Sequence, residues 1–429
     1  MTIYVVQPGD SLWSISRRFG VSMDSISSVN KLYEVPALVI GQALVIPTNE
    51  SLYTVKPGDS LWSIGNRFGI RYETLAQYNG IPYPYVIQVG MTLRIPELRK
   101  NYGYIEVNGY IETSTAERES EIINDVGKYL TYITPFSYDV KSDGTINDID
   151  DTTIRKTAGD YKVAPLMAIT NLSNGNFSSE VAHSILADDA VSRKLLDNVI
   201  DIMKRKGFYG LNVDFEKIFP EDRELYNSFL RKAADRLHEN KYVLSTALAP
   251  KYSAEQAGAW YEAHDYKAHG EIADFVIIMT YEWGWSGGPP MPVAPIKSVR
   301  RVLDYAVSVI PRKKIMMGIP LYGYDWTLPY VSGGPFARRK SPQEALSIAS
   351  RHGSIVKYDI EAQSPYFNYY DSDGKEHIVW FEDARSVRAK FLTAVEYGLR
   401  GVSYWVLGES FPQNWQVLDN MFNIVKVIR

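Results

Sequence analysis

The segment Tyr209-Gly-Leu-Asn-Val-Asp-Phe-Glu216 sets three polar side chains, Asn212, Asp214 and Glu216, at alternate positions. On an extended strand such residues share one face, and Leu211, Val213 and Phe215 take the other. Three polar groups on an interior face are costly unless they have partners or a task. The plain alternative to a task is a buried cluster that fixes strand register. Spacing bears on the chemistry. Asp214 and Glu216 are two strand rises apart, roughly 6.6 Å along the backbone. Glycosidases that use two carboxylates set them on opposite sides of the scissile bond, which neighbours on one strand do poorly. This pair is suited to acting from one side.

A second candidate lies in PGDSLWSI, which occurs as Pro8 to Ile15 and again as Pro57 to Ile64. Gly-Asp-Ser-Leu can mark an esterase serine, and Asp235-Arg-Leu-His238 offers the Asp-x-x-His such an enzyme needs. Three features argue against Ser11 or Ser60 as nucleophiles. A nucleophile has no reason to recur in register, the repeated unit is too small for a triad, and Asp235 and His238 point away from the apolar stripe Leu225, Phe229, Ala233, Leu237. The repeat is longer than eight letters. An offset of 49 aligns Tyr4 with Tyr53, Trp13 with Trp62, Asn30 with Asn79 and Gly41 with Gly90 without a gap. Two tandem modules follow. Each reads as a strand, a turn at Pro-Gly, a helix capped by Asp10 or Ser11 (in the first copy), a second short helix and a closing strand.

The elements that must position Asp214 and Glu216 come after residue 100. Eight apolar runs alternate with amphipathic stretches: Tyr104 to Gly109, Leu130 to Tyr138, Lys162 to Thr170, Tyr209 to Glu216, Tyr242 to Ala249, Asp274 to Tyr281, Ile315 to Tyr322 and Gly401 to Leu407. That is the pattern of an α/β (β/α)8 TIM barrel, whose strand C-termini carry the active site. Two alternating runs between Tyr366 and Phe381 predict a β-hairpin inserted before the last strand. The expected domains are 1–48 and 51–97 for the two βααβ modules and 101–429 for the barrel.

Both modules resemble LysM domains, which bind N-acetylglucosamine-containing glycans. The resemblance implies grooves built by Gly9, Asp10, Ser11, Leu12 and Asn30, and by Gly58, Asp59, Ser60, Leu61 and Asn79. The barrel is similar to glycoside hydrolase family 18, with Tyr209 to Glu216 in place of Asp-x-x-Asp-x-Asp-x-Glu. Met279-Thr-Tyr281-Glu282, Gly318-Ile-Pro-Leu-Tyr322-Gly323 and Tyr404-Trp405 match in chain order. The resemblance implies substrate-assisted catalysis. Glu216 would be the acid and then the base, Asp214 would orient the substrate acetamido group, and Tyr281 would bond its oxygen. Asn212 would support Asp214, and Trp405 would floor the reacting sugar. Met279, Glu282, Trp283, Tyr322 and Tyr138 are further candidates for substrate contact. Tyr209 and Asn212 replace the first two aspartates of the pattern, so Asp214 is expected to ionise more readily than beside a second carboxylate.

Composition narrows the rest. The chain has 429 residues, 45% hydrophobic and 22% charged, with a net charge of -4 and no cysteine. No basic field points to nucleic acid, no apolar run reaches membrane-span length, and thiolate chemistry is excluded. The six histidines show no ligand spacing, so neither a metal nor a cofactor is expected. The expected protein is a monomeric N-acetylglucosaminidase of peptidoglycan, resembling spore-cortex-lytic glucosaminidases, located at the spore and made without a signal peptide. A chitinase, or a catalytically silent glycan-binding coat protein, are the alternatives.

Overall fold

The computed structural model describes residues 1–48, 50–68, 70–96 and 100–428. In the first repeat Ser11 is extended and accepts the Ser14 N–H, so the helix Leu12–Phe19 starts with a reciprocal cap. Gly20, at φ 64°, ends it. The helix Met23–Asn30 follows, and both pack on the antiparallel pair Thr2–Val5 and Ala43–Ile46. The second repeat repeats the plan with Glu50–Thr54, Leu61–Phe68, Tyr72–Tyr78 and Thr92–Pro96. Ser60 and Ser63 form the same cap. Both serines of the Gly-Asp-Ser-Leu pairs are thus helix caps. His238 lies on an exposed helix face and meets Asp274 at 3.0 Å, so no esterase constellation forms. Leu225, expected on the buried stripe, is exposed; Tyr226 and Leu230 take the inner face instead.

The barrel strands are Tyr104–Glu112, Tyr132–Phe136, Ala164–Thr170, Gly210–Asp214, Val243–Leu248, Phe275–Ile278, Ile315–Pro320 and Gly401–Trp405. All eight neighbouring pairs are parallel, and strand 8 returns to strand 1, closing the ring. Leu211, Val213 and Phe215 are fully buried against the helix layer, where Phe215 stacks on Tyr226 and Phe229 at 6.0 Å. The inner face carries a polar layer that satisfies itself. Thr134 donates to Asn108, and Asn108 to Ser403.

The expected hairpin is present as Ser364–Tyr370 with Glu376–Trp380. It belongs to a larger unit between strands 7 and 8. Three more strands, Gly323–Thr327, Arg338–Lys340 and Lys357–Asp359, extend it to five, and the helix Pro342–Arg351 covers it.

The two modules differ in how they sit. Val35 and Val39 of the first share a core with Leu346, Val356 and Phe367 of the inserted unit. Ala43 and Val45 join the main barrel core. Gln343 donates to the carbonyls of Asn30 and Lys31 at 3.0 and 3.1 Å, and Val356 N–H to that of Ile40 at 2.9 Å. The second module closes its own core around Leu61, Ile64, Leu75 and Leu93. A Cβ on Gly41 would lie 1.9 Å from the Val356 carbonyl oxygen, whereas one on Gly90, the same position in the second module, would meet nothing within 4 Å. Both have φ near +85° (84° and 87°), so both alanines carry the same backbone strain, about 1 kcal/mol. We expect Gly41→Ala to add the cost of the forced contact and to lower the main thermal transition of the full chain by several degrees more than Gly90→Ala. Equal shifts in calorimetry would show that docking of the first module does not stabilise the barrel.

Candidate active site

Strand 4 ends at Asp214, and the next three residues leave the sheet with no ladder to hold them. Each is gripped by a side chain from a neighbouring segment, two from loops and one from the start of the helix Ser179–Ala187. His264 takes the N–H of Ala249 on Nδ1 at 2.9 Å, so its Nε2 carries the proton and donates to the Phe215 carbonyl, also at 2.9 Å. Asn171 brackets Glu216, accepting its N–H at 2.9 Å and donating to its carbonyl at 2.8 Å. The Ser179 hydroxyl donates to the Lys217 carbonyl. Lys217 itself is left-handed at φ 51°, an unusual state for a residue with a long side chain.

The cleft above these residues has a volume of about 790 Å³ and is lined by Asp214, Glu216, Met279, Tyr281, Glu282 and Trp405 among others. Asp214 is buried, and its Oδ1 has no hydrogen-bond partner among the described residues. Burial pushes its carboxyl up to about 7. Glu216 is raised well above the usual carboxylate range by burial first and by the Asp214 charge second, with Lys217 opposing. Asn212 does not reach Asp214. It accepts from the Tyr110 hydroxyl at 2.9 Å and donates to Ser245 at 3.0 Å. The expected easier ionisation of Asp214 therefore meets a stronger opposing influence that strand periodicity does not display, namely withdrawal from water.

Tyr281 lies flat against strand 7 because Gly318 leaves room; a Cβ there would stand 2.7 Å from the ring. Trp405 is framed by Phe136 at 4.8 Å and Tyr110 at 5.6 Å, both edge-on. Glu282 accepts from the hydroxyls of Tyr322 and Tyr324. Tyr322 is thus buried behind Glu282 rather than lining the cleft.

Two expected contact residues are elsewhere. Tyr138 is fully buried and donates to Asp151 at 2.6 Å, away from the cleft. Trp283 packs on the main core, and Trp285 takes the position at the cleft. In the modules, the Asn30 amide is buried and bonded to Ile26 and to both backbone groups of Val45. Asn79 does the same with Leu75 and Arg94. Asp10 and Asp59 hold Tyr4 and Tyr53 and the turn N–H of Gln7 and Lys56. These four side chains are engaged in shaping the loops. Gly9, Ser11, Gly58 and Ser60 are exposed, Leu12 is half-buried and Leu61 is buried. Sequence reasoning missed Asn171, His264, Trp260, Phe177 and the Lys217 position. Asn171 alone had a signal, a polar residue just past the apolar run of strand 3.

The closed barrel with a carboxylate pair past strand 4 agrees with the family profiles. Glycosyl hydrolases family 18 matches residues 106–409, and the LysM domain matches residues 4–47 and 53–96. The chain belongs to glycosyl hydrolase family 18 and carries two LysM domains. Among particular proteins, it is 52% identical to the cortical fragment-lytic enzyme of Bacillus subtilis (strain 168) over 429 residues, 99% of each chain. It is 47% identical to the enzyme of that name from Bacillus cereus over 428 residues, again 99% of each. The crystal structure of the spore cortex-lytic enzyme SleL of Bacillus megaterium QM B1551 superposes with a TM-score of 0.91 at 44% identity, covering 99% of both chains.

His264 gives a stability test of the clamp. Burial lowers its imidazole to about 4, while an unfolded histidine titrates near 6.5. Between those values the unfolded chain binds more protons, so the stabilisation is complete above about pH 6.5 and is lost as pH falls towards 4, up to about 3 kcal/mol. Thermal unfolding of wild type and His264→Gln from pH 7 to 4.5 should converge as pH drops. A constant gap across that range would refute the assignment.

Proposed function

We propose that the protein is an N-acetylglucosaminidase that cleaves β-1,4 bonds of peptidoglycan, with spore cortex or its fragments as substrate, by substrate-assisted retaining catalysis. The observation that carries this reading is the placement of Asp214, buried with its Oδ1 unpartnered among the described residues, beside Glu216, whose carboxyl is raised by burial and by the Asp214 charge, in a cleft also lined by Trp405. Glu216 holds the proton that the glycosidic oxygen needs. The substrate's own 2-acetamido oxygen attacks the anomeric carbon and forms an oxazolinium ring. Asp214 Oδ1, buried without a partner, accepts the acetamido N–H, and its charge offsets the positive ring. Tyr281 bonds the acetamido oxygen. Glu216 then takes a proton from the water that opens the ring.

The same-side placement of the two carboxylates suits this mechanism, because the nucleophile belongs to the substrate. It also selects the sugar. The reacting residue needs a free acetamido group, and in cortex the muramic lactam has its amide tied in a ring. N-acetylglucosamine is therefore the sugar to be cut. The two LysM domains would hold the same polymer, and the relatives named for cortex lysis are consistent with action at the spore. A silent glycan-binding protein would have no use for a proton kept on a buried acid.

Two measurements test the reading. Wild type incubated with cortex fragments should release products with N-acetylglucosamine at the new reducing ends, and Glu216→Gln should lower the rate by a factor on the order of 10² to 10⁴. Muramic reducing ends, or equal activity of the two proteins, would overturn it. In addition, kcat/KM should rise with pH through neutrality, because the reactive state needs Asp214 ionised and its carboxyl sits at about 7. An acid limb near 4, the ordinary aspartate range, would contradict the burial argument.

A further inference from the structure

Strands 4 and 8 face each other across an eight-stranded ring, so Trp405 and Glu216 stand at opposite sides of the cleft. A sugar lying on Trp405 has the Glu216 carboxyl at its far edge, where the glycosidic oxygen must be. The leaving sugar lies beyond that carboxyl, against the loops that follow strands 3 and 5. Phe177 and Trp260 line the cleft there, with ring centroids 6.4 Å apart, and Trp260 is 40% exposed. The Lys217 ammonium rests over the Trp260 ring at 4.6 Å. Lys217 thus stands beside the cleft through Trp260, and the charged side chains that line the cleft itself are acidic: Glu112, Asp214, Glu216 and Glu282. Arg339, on the other side, is taken by Glu409 at 2.8 Å and Glu112 at 3.6 Å. Lys217 has no carboxylate within ion-pair distance among the described residues.

We propose that Lys217, seated on Trp260, is a specificity-determining residue that binds the carboxylate carried by the 3-O-substituent of the sugar on the leaving side. This rests on the reading of the protein as a glucosaminidase of peptidoglycan. With N-acetylglucosamine on Trp405, the alternating polymer puts a muramoyl sugar next to Trp260. Where that sugar is N-acetylmuramoyl its 3-O-lactyl group, free or extended by peptide, is anionic, whereas a muramic lactam has that carboxyl tied in its ring. Chitin offers a neutral sugar at the same place. The left-handed turn at Lys217, anchored by Ser179, sends the side chain to the ring instead of along the chain. A cation on an aromatic face keeps its charge available to a ligand, because the ring satisfies it without neutralising it.

The test compares kcat/KM of wild type, Lys217→Gln and Lys217→Arg on three soluble glycans of equal length. One is a neutral N-acetylglucosamine oligomer, one an alternating glycan stripped of peptide, and one the peptide-bearing form. Wild type should prefer the anionic glycans, and the preference should weaken as salt is raised. Lys217→Gln should cut the anionic-to-neutral ratio about tenfold, as expected for loss of one charge-assisted contact, and Lys217→Arg should retain most of it. If the stripped glycan shows the effect, the lactyl carboxylate is the ligand; if only the peptide-bearing glycan does, the carboxylate is on the peptide. An equal loss on all three glycans, with the basic limb of the pH profile moved upward, would overturn the proposal, since Lys217 would then act only through the proton on Glu216. Failure of wild type to cut either muramoyl glycan, with the neutral oligomer cleaved, would instead sink the peptidoglycan reading.

Discussion

The chemistry of this fold depends on holding three peptide groups after strand 4 has run out. Up to Asp214 the chain is paired on both sides by strands 3 and 5. Past it, buried N–H and C=O groups would be left without partners, at a cost comparable to a lost hydrogen bond each. His264, Asn171 and Ser179 supply those partners to Phe215, Glu216 and Lys217 in turn. The Glu216 carboxyl therefore projects from a segment with little freedom, the preorganisation that an acid aimed at a bond requires. All three clamps are uncharged; His264 stays neutral because burial disfavours its cation. The clamp positions the acid without lending it charge.

That neutrality leaves burial, mutual repulsion and the opposing Lys217 charge to control the carboxylates. Asp214 and Glu216 share one cleft with Tyr110 and Tyr281, whose hydroxyls are held well above their usual range by desolvation first and by the carboxylate charges second. Asn212 in place of a third carboxylate makes sense in this setting. Its amide joins the Tyr110 hydroxyl to Ser245 across three strands, a neutral ladder where an acid would add another buried charge. The pair can then pass through a state with one proton and one charge, which is what a general acid beside an electrostatic stabiliser needs.

The strands and the carboxylates were legible because both obey short periods. Eight apolar runs and alternate polar positions are local patterns, and the strands fall within a few residues of the expected limits. The clamps were not legible, since Asn171 and His264 reach Glu216 and Phe215 from 45 and 49 residues away through loops that have no period. Trp283 and Trp285 show how a single backbone turn defeats pattern reading. Glu282 adopts φ 67°, the chain changes course, and the tryptophan that reaches the cleft is the later one. Asn30 and Asn79 show a role that pattern reading did not supply. The resemblance to LysM domains placed them in the glycan grooves, and the structure adds a role within the fold, because each amide ties the second helix of its module to the closing strand.

The repeat also shows how equal sequences acquire unequal tasks. The carbonyls of Asn30 and Lys31 in the first module are bound to Gln343, and Val35, Val39, Ala43 and Val45 are built into cores of the catalytic domain. Any glycan held by that module sits at a fixed place relative to Glu216. The second module keeps its own core, and its hydrogen bonds among the described residues stay within it. Among the described residues the two copies thus differ in what they pack on, although their sequences align without a gap. The close fit of Gly41 against Val356 is what separates the two copies. A duplicated module thus becomes in one copy part of the core of the catalytic domain, while the other copy closes a core of its own, because a contact such as that of Gly41 with Val356 is set by the surface a module meets and not by its own fold.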